Sequence, residues 1–276
     1  MGDSLGGATV ALLEARMESE LGSLVRRHGG EPMCVPALRE VERDCSAEAS
    51  RAIDAMVQGC AVVVLTTGAG LTRWVAVAKG IGRDRDLREG LARATVVCRG
   101  PKPVAALKRE GIAIALVRAE PPHTTTQLLE ALGAIPLQDR DAVVVQDGGA
   151  ARAVLDAIEA RGARVHEVKP YVWALPEDLS ALRGLVRAIT GARVRAVAFT
   201  TQVQAKHLFD VADAMGERAS LVEALRGRVV VAAIGPTCAR ALIELGAPPH
   251  VVPERANMGA MVAALARLDW KVSAGR

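Results

Sequence analysis

VVVLTTGAGLTRWVAVA, from Val62 to Ala78, and AVAFTTQVQAKHLFDVA, from Ala196 to Ala212, read almost as one segment written twice. Each opens with four apolar residues, turns at a Thr-Thr pair, and continues with apolar residues at helical spacing. A short run buried on both faces, followed by a helix, is the βα unit of a parallel sheet. Thr66-Thr67 falls on Thr200-Thr201, 134 residues further along.

Working outward, GPKPVAALKREG (Gly100–Gly111) answers GPTCARALIELG (Gly235–Gly246) at an offset of 135. VALLEARMESELGSLVRRHGG from Val10 answers VVVQDGGAARAVLDAIEARGA from Val143 at an offset of 133. HTTTQLLEAL, from His123, matches RANMGAMVAAL, from Arg255, with Leu132 laid on Leu265. A period near 134 far exceeds the 20–50 residues of solenoid repeats. Four pairs in one order therefore describe two homologous domains. Expected strands are Val10–Leu13, Val62–Leu65, Thr95–Cys98 and Ala113–Val117, then Val143–Val145, Ala196–Phe199, Val229–Ala233 and His250–Val252. Helical patterns lie between them, such as 151–161, and Gly29-Gly30, Gly111, Gly162 and Gly246 stand where helices should stop. The fold class is α/β: two similar, doubly wound, parallel-sheet domains of flavodoxin or Rossmann type.

Composition narrows the function. The chain has 276 residues, half of them apolar, with a formal charge of +4. That excludes a disordered chain. No apolar run approaches the ~18 residues of a membrane span, and no basic segment precedes an apolar one at the start, so a soluble cytoplasmic protein is expected. Five scattered cysteines form neither a disulfide framework nor a CxxC pair. Aromatics are only 2%, too few to stack unpaired bases, so nucleic acid is not an expected partner.

In doubly wound sheets, ligands bind beyond the carboxyl ends of the strands. The loops there are small and hydroxylic, and several open helices whose first N–H groups attract carboxylates or phosphates. In Gly100-Pro101 and Gly235-Pro236, proline suits a first helical turn. The glycine could also admit a ligand carboxylate to the backbone while Lys102 or Thr237 covers it. The Thr pairs read equally as helix caps or as substrate hydrogen-bonders. Arg16, Arg99, Lys102, Arg152 and Lys169 are solvated charges or, together, anion clamps. The five histidines have no metal-ligand spacing, though His123 falls in an expected cleft loop. Tyr171, the only tyrosine, lies in KPYVWALPEDL, an ordered connector or a phenol held at a hinge. No GxGxxG or Walker A pattern supports a nucleotide.

Taken together, VALLEAR, HGGEPMCVPAL, VVLTTGAG, RGPKPVAALKREGI, HTTTQLLEAL, VHEVKPYVWALPEDL, AVAFTTQVQAKHLF, AAIGPTCARAL and VVPERANMGAMVAAL resemble uroporphyrinogen-III synthases, in the family's order, over about residues 9–267. The resemblance implies two α/β domains joined by a two-stranded hinge linker, the N-terminal βα unit belonging to the C-terminal domain. One domain would be 1–37 with 172–276, the other 38–171. It implies a cofactor-free cyclisation of hydroxymethylbilane, with loss of water and inversion of ring D, in tetrapyrrole biosynthesis. Tyr171 matches the family's candidate proton donor. The family's cleft hydroxyls fall on Thr66, Thr200, Thr201 and Thr237, with Thr124 or Thr125 as another. Thr67, Gln202, Gly235, Pro236, Gly100, Arg16, Arg99, Lys102 and Arg152 complete the expected substrate-binding set. The expected partner is the octacarboxylate bilane, bound by a monomer in transient contact with hydroxymethylbilane synthase, with no nucleic acid and no membrane. The alternative is a non-catalytic tetrapyrrole or small-anion sensor on the same fold.

Overall fold

The computed structural model describes residues 4–14, 18–121, 123–146 and 152–270. Three elements open the chain: β1 (Thr9–Leu12), α1 (Glu18–Arg27) and β2 (Glu31–Cys34). β3 (Arg39–Glu42) leads into α2 (Ser46–Gln58), β4 (Val62–Leu65), α3 (Gly68–Gly80), α4 (Asp84–Arg93) and β5 (Thr95–Cys98). Then come α5 (Pro101–Arg109), β6 (Leu116–Arg118), α6 (Thr125–Leu132), β7 (Asp141–Val145), α7 (Arg152–Glu159) and β8 (Arg164–Val168). β9 (Tyr171–Ala174) leads on to α8 (Ser180–Thr190), β10 (Ala196–Phe199), α9 (Gln202–Ala214) and α10 (Arg218–Gly227). β11 (Val230–Ala233), α11 (Pro236–Glu244) and α12 (Met258–Ala266) close the described chain.

Two compact units result, Met1–Arg39 with Ala174–Arg276, and Glu40–Trp173. They divide within β3 and β9, which pair with each other as a separate two-stranded sheet. The first unit's sheet runs β2-β1-β10-β11, and Val251 bridges Ala232 on the far side of β11. The second unit's sheet runs β8-β7-β4-β5-β6. All these pairs are parallel. Both units thus have the 2-1-3-4-5 order of a doubly wound fold. In the second unit the first two strands of that order, β7 and β8, come last in the chain, so the units are circular permutations of one topology.

The decisive segments become the sheet centres. β4 sends Val63 and Leu65 to one face and Val62 and Val64 to the other. Helices cover both faces, so all four residues are buried and the run must be wholly apolar. β10 does the same with Val197 and Phe199 against Ala196 and Ala198. With so few aromatics, the cores are mostly Val, Leu and Ala, and Trp74 of α3 is the largest fully buried side chain.

Strand register corrects one alignment. Val62 pairs with Ala142 where Ala196 pairs with Val10. Val10 therefore answers Ala142, 132 residues on, one residue short of the expected offset. Two strand expectations also change. The stretch from Ala113 pairs only at Leu116–Arg118, and His250–Val252 makes one isolated bridge. β2 and β8 were not expected. They are outer strands of partly exposed, mixed residues, EPMC and RVHEV, with no apolar run to announce them. The glycine stops hold: Gly29, Gly111, Gly162 and Gly246 have φ of 73°, 66°, 81° and 88°, where an L side chain is strained. No helix among the described residues is long and apolar enough to cross a membrane.

Candidate active site

In the second unit the strand order reverses between β4 and β7, so their crossovers leave in opposite directions and open a crevice at the carboxyl ends. Thr66 and Thr67 follow β4, and Gln146 follows β7. The expected loop at Asp147–Gly149 lies outside the described residues. The two hydroxyls do different things. Thr66 is buried, and its Oγ1 donates to the Val145 carbonyl at 2.8 Å. Thr67 is the N-cap of α3; its Oγ1 accepts from Gly70 N at 3.0 Å and lies 3.2 Å from Tyr171 Oη. The glycines of TTGAG permit close approach. A Cβ on Gly70 would stand 2.9 Å from the Gln146 carbonyl oxygen, and one on Gly68 would stand 2.7 Å from that of Lys102.

Tyr171 begins β9 and is only 2% exposed. Its ring meets Trp173 edge-on, centroids 5.5 Å apart. The Arg73 guanidinium lies 4.9 Å from the ring centroid. Arg73 also pairs with Glu40 and, at 3.6 Å, with Glu42, both from β3. The N-cap of α3 therefore supplies the hydroxyl at the phenol oxygen, and α3 itself the cation at the ring. Sequence reasoning missed Arg73, Glu40 and Glu42. The one available signal was a lone charge inside the apolar run LTRWVAVA.

At the ends of β5 and β6, Pro101 is the first residue of α5, and Gly100 is extended at φ −170°. A Cβ there would stand 3.3 Å from the His123 ring. His123 has φ 59°, with Nδ1 2.8 Å from the Ala119 carbonyl. Thr124 precedes α6, and Gln127 Oε1 accepts from its N at 3.3 Å and its Oγ1 at 2.5 Å. Thr125 is the first residue of α6. Arg99 directly follows β5, and Lys102 is exposed in the first turn of α5. These residues share one end of the sheet. Arg152 pairs with Asp156 at 2.9 Å along α7 and is two-thirds exposed. Lys169 binds Glu167, and its backbone N donates to Glu48 Oε2 at 3.0 Å. Arg16 lies outside the described residues.

The first unit reverses between β1 and β10. Here Gln204 stands where Gly70 stands in the second unit, and it fills the crevice floor. Its Oε1 accepts from Thr200 N at 2.8 Å and Thr201 N at 3.2 Å. Its Nε2 donates to the Leu13 carbonyl at 3.1 Å, Glu14 Oε1 at 2.9 Å and Thr200 Oγ1 at 3.1 Å. Thr201 caps α9, accepting from Gln204 N at 3.2 Å, and Gln202 is exposed in the first turn. Pro236 starts α11, with Thr237 partly exposed behind it. Gly235 is needed for proximity, since its Cβ would stand 2.9 Å from Ala256 Cβ. Neither Gly-Pro helix start has a side-chain cap, so each leaves backbone donors for another acceptor. Burial pushes the nearby thiols of Cys98 and Cys238 up to about 12, too high for a thiolate nucleophile at neutral pH.

Two doubly wound units in one chain, each with hydroxyls at its strand reversal and an uncapped helix start after the neighbouring strand, define a two-domain α/β protein. The model of the family described as uroporphyrinogen-III synthase HemD matches residues 19–263, and the chain belongs to this family. An uncharacterized Bacillus subtilis protein, YjjA, is 31% identical over 97% of this chain and 98% of its own. A putative uroporphyrinogen-III synthase of Methanothermobacter thermautotrophicus is 32% identical over 60% of this chain and 64% of its own. Among solved structures, a mutant uroporphyrinogen III synthase of the extremely thermophilic bacterium Thermus thermophilus superposes with a TM-score of 0.74 at 28% identity, covering 94% of this chain and 98% of that one. The Helicobacter pylori enzyme shares the fold at TM-score 0.52 and 11% identity, over 92% and 96% of the two chains.

Proposed function

We propose that this chain closes hydroxymethylbilane to uroporphyrinogen III, with loss of water and inversion of ring D, in porphyrin biosynthesis. Family membership over nearly the whole chain carries this reading. The substrate is a flexible polyanion that closes unaided to the symmetrical isomer. The catalytic task is therefore orientation, achieved by binding the transition state in one shape. The uncapped N-termini of α5 and α11, with Arg99, Lys102, Thr124, Thr125 and Thr237, suit its carboxylates. Gly100, Gly235 and Pro236 keep those helix starts open. Thr66, Thr67, Thr200, Thr201 and Gln202 line the two strand reversals, where a pyrrole could be gripped.

Tyr171 is proposed as the proton donor. Its O–H proton passes to the hydroxymethyl oxygen, the C–O electron pair leaves with water, and a cationic methylene–pyrrole remains. Ring closure later releases a proton from carbon, which restores the phenol. A phenol is a weak acid, so its loss should slow turnover about tenfold to a hundredfold, at or below the usual range for general acids.

The test supplies freshly generated hydroxymethylbilane and separates isomers I and III after oxidation. Isomer III in excess over the enzyme-free control is expected, and Tyr171→Phe should reduce its rate more than its KM. Isomer I alone, from protein that binds the bilane, would replace the enzyme with a tetrapyrrole sensor. The same reading has a monomer in the cytoplasm, meeting hydroxymethylbilane synthase only transiently. Sedimentation and co-elution measurements test those two points.

A further inference from the structure

We infer that Arg73 is a positioning residue for the cyclisation and acts through Tyr171; this rests on the proposed role of Tyr171 as proton donor. Two of the contacts on Tyr171 come from α3 and its N-cap. Thr67 Oγ1 stands 3.2 Å from the phenol oxygen, and the Arg73 guanidinium stands 4.9 Å from the ring centroid. A planar cation over an aromatic face is attracted by the negative face of the ring. That attraction grows when the phenol gives up its proton, because the phenolate spreads negative charge into the ring. The interaction is therefore stronger after proton donation than before it, the condition for lowering a barrier rather than only tightening binding.

The cation is itself fixed. Glu40, whose side chain is 7% exposed, pairs with Arg73 from β3, and Glu42 adds a second carboxylate at 3.6 Å. Arg73 faces the ring from α3, and Glu40 and Glu42 face Arg73 from β3. The carboxylates temper the cation's field and hold its plane in place. Lysine would keep the charge but lose the flat surface that lies over the ring. Trp173, edge-on to Tyr171, keeps the ring from turning away.

The experiment is a double-mutant cycle on the full chain. Arg73→Gln should lower kcat between about twofold and thirtyfold, with KM little changed. In a Tyr171→Phe background, the same substitution should cost nothing further, because residues that act as a unit are not additive. Arg73→Lys, which keeps a partner for Glu40, should fall between parent and Arg73→Gln. It runs the same cycle if the glutamine variant fails to fold. The chain has one tyrosine, so near-ultraviolet phenolate absorption reports Tyr171 alone. Its ionisation should move to higher pH in Arg73→Gln. Equal losses in both backgrounds, with the phenol titration unmoved, would overturn the inference about Arg73. Undiminished turnover in Tyr171→Phe would instead remove the role of Tyr171, so the two failures are distinguishable.

Discussion

Replacing Gly68 by alanine tests whether the packing of α3 on α5 sets the geometry of the site. The new Cβ would lie 2.7 Å from the Lys102 carbonyl oxygen and 3.1 Å from its carbon, about 0.7 Å inside the 3.4 Å at which ordinary contact begins. The obstacle is backbone at the start of a helix, so no rotamer relieves it. Either α5 or the first turn of α3 must shift, and overpacking of this kind costs about 1–3 kcal/mol. Alanine regains at most about 1 kcal/mol of helix propensity. The net expectation is a loss of roughly 1–2 kcal/mol, with KM raised because Gly100 to Lys102 move with α5. Gly184, in the middle of α8 with nothing within 4 Å of its Cβ, is the control. Gly184→Ala should gain about 0.5–1 kcal/mol. Urea unfolding followed by tryptophan fluorescence compares them, since Trp74 and Trp173 share the unit of Gly68 and Trp270 lies in the other. If Gly68→Ala proved as stable as Gly184→Ala, close approach would not be why glycine stands at position 68.

Two further expectations concern stability. Gln204→Leu keeps most of the side-chain volume but strands the Thr200 N–H and leaves the Leu13 carbonyl only the Ala37 N–H at 3.4 Å, so a loss of about 1–3 kcal/mol is expected from thermal unfolding. Asp141 is held below the ordinary carboxylate range, first by its hydrogen bond to Arg164 and then by that to His166. A lowered folded-state value stabilises above the unfolded value, about 4, and is lost as pH falls through the folded one. Asp141→Asn should therefore be less stable than the parent at neutral pH, and the two should converge in acid when urea midpoints are compared.

The central strands were legible because helices on both faces demand unbroken apolar runs, as in VVVL and AVAF. β2 and β8 were not, since one side of each is partly solvated and its residues are mixed. The one-residue slip at β1 arose because VALL and VVVQ align equally well in either register, and only the ladder to β10 and β4 decides. At the site, the Thr pairs and Gly-Pro turns stood out through repetition. Arg73 did not, since its partners Glu40 and Tyr171 lie 33 and 98 residues away and have no counterparts in the other copy. Arg152, a solvated charge or part of an anion clamp by its sequence, pairs with Asp156, the partner that helical spacing supplies four residues on.

The permuted strand order has a consequence for synthesis. Residues 40–173 contain every strand of their own sheet, so that unit can fold as soon as it leaves the ribosome. The first unit cannot. Val10 pairs with Ala196, 186 residues later, so β1 stays beside β2 alone while the whole intervening unit is made. Through that interval Val10, Ala11 and Leu12, all buried in the finished protein, have an open flank. Loop closure over that span makes this the slow step, and an unpaired apolar strand edge is prone to joining another chain. The finished second unit helps by keeping its two ends together in β3 and β9, which shortens the effective loop. A nascent chain stalled before β10 is therefore the form of this protein most exposed to aggregation, and the one a chaperone would most readily hold.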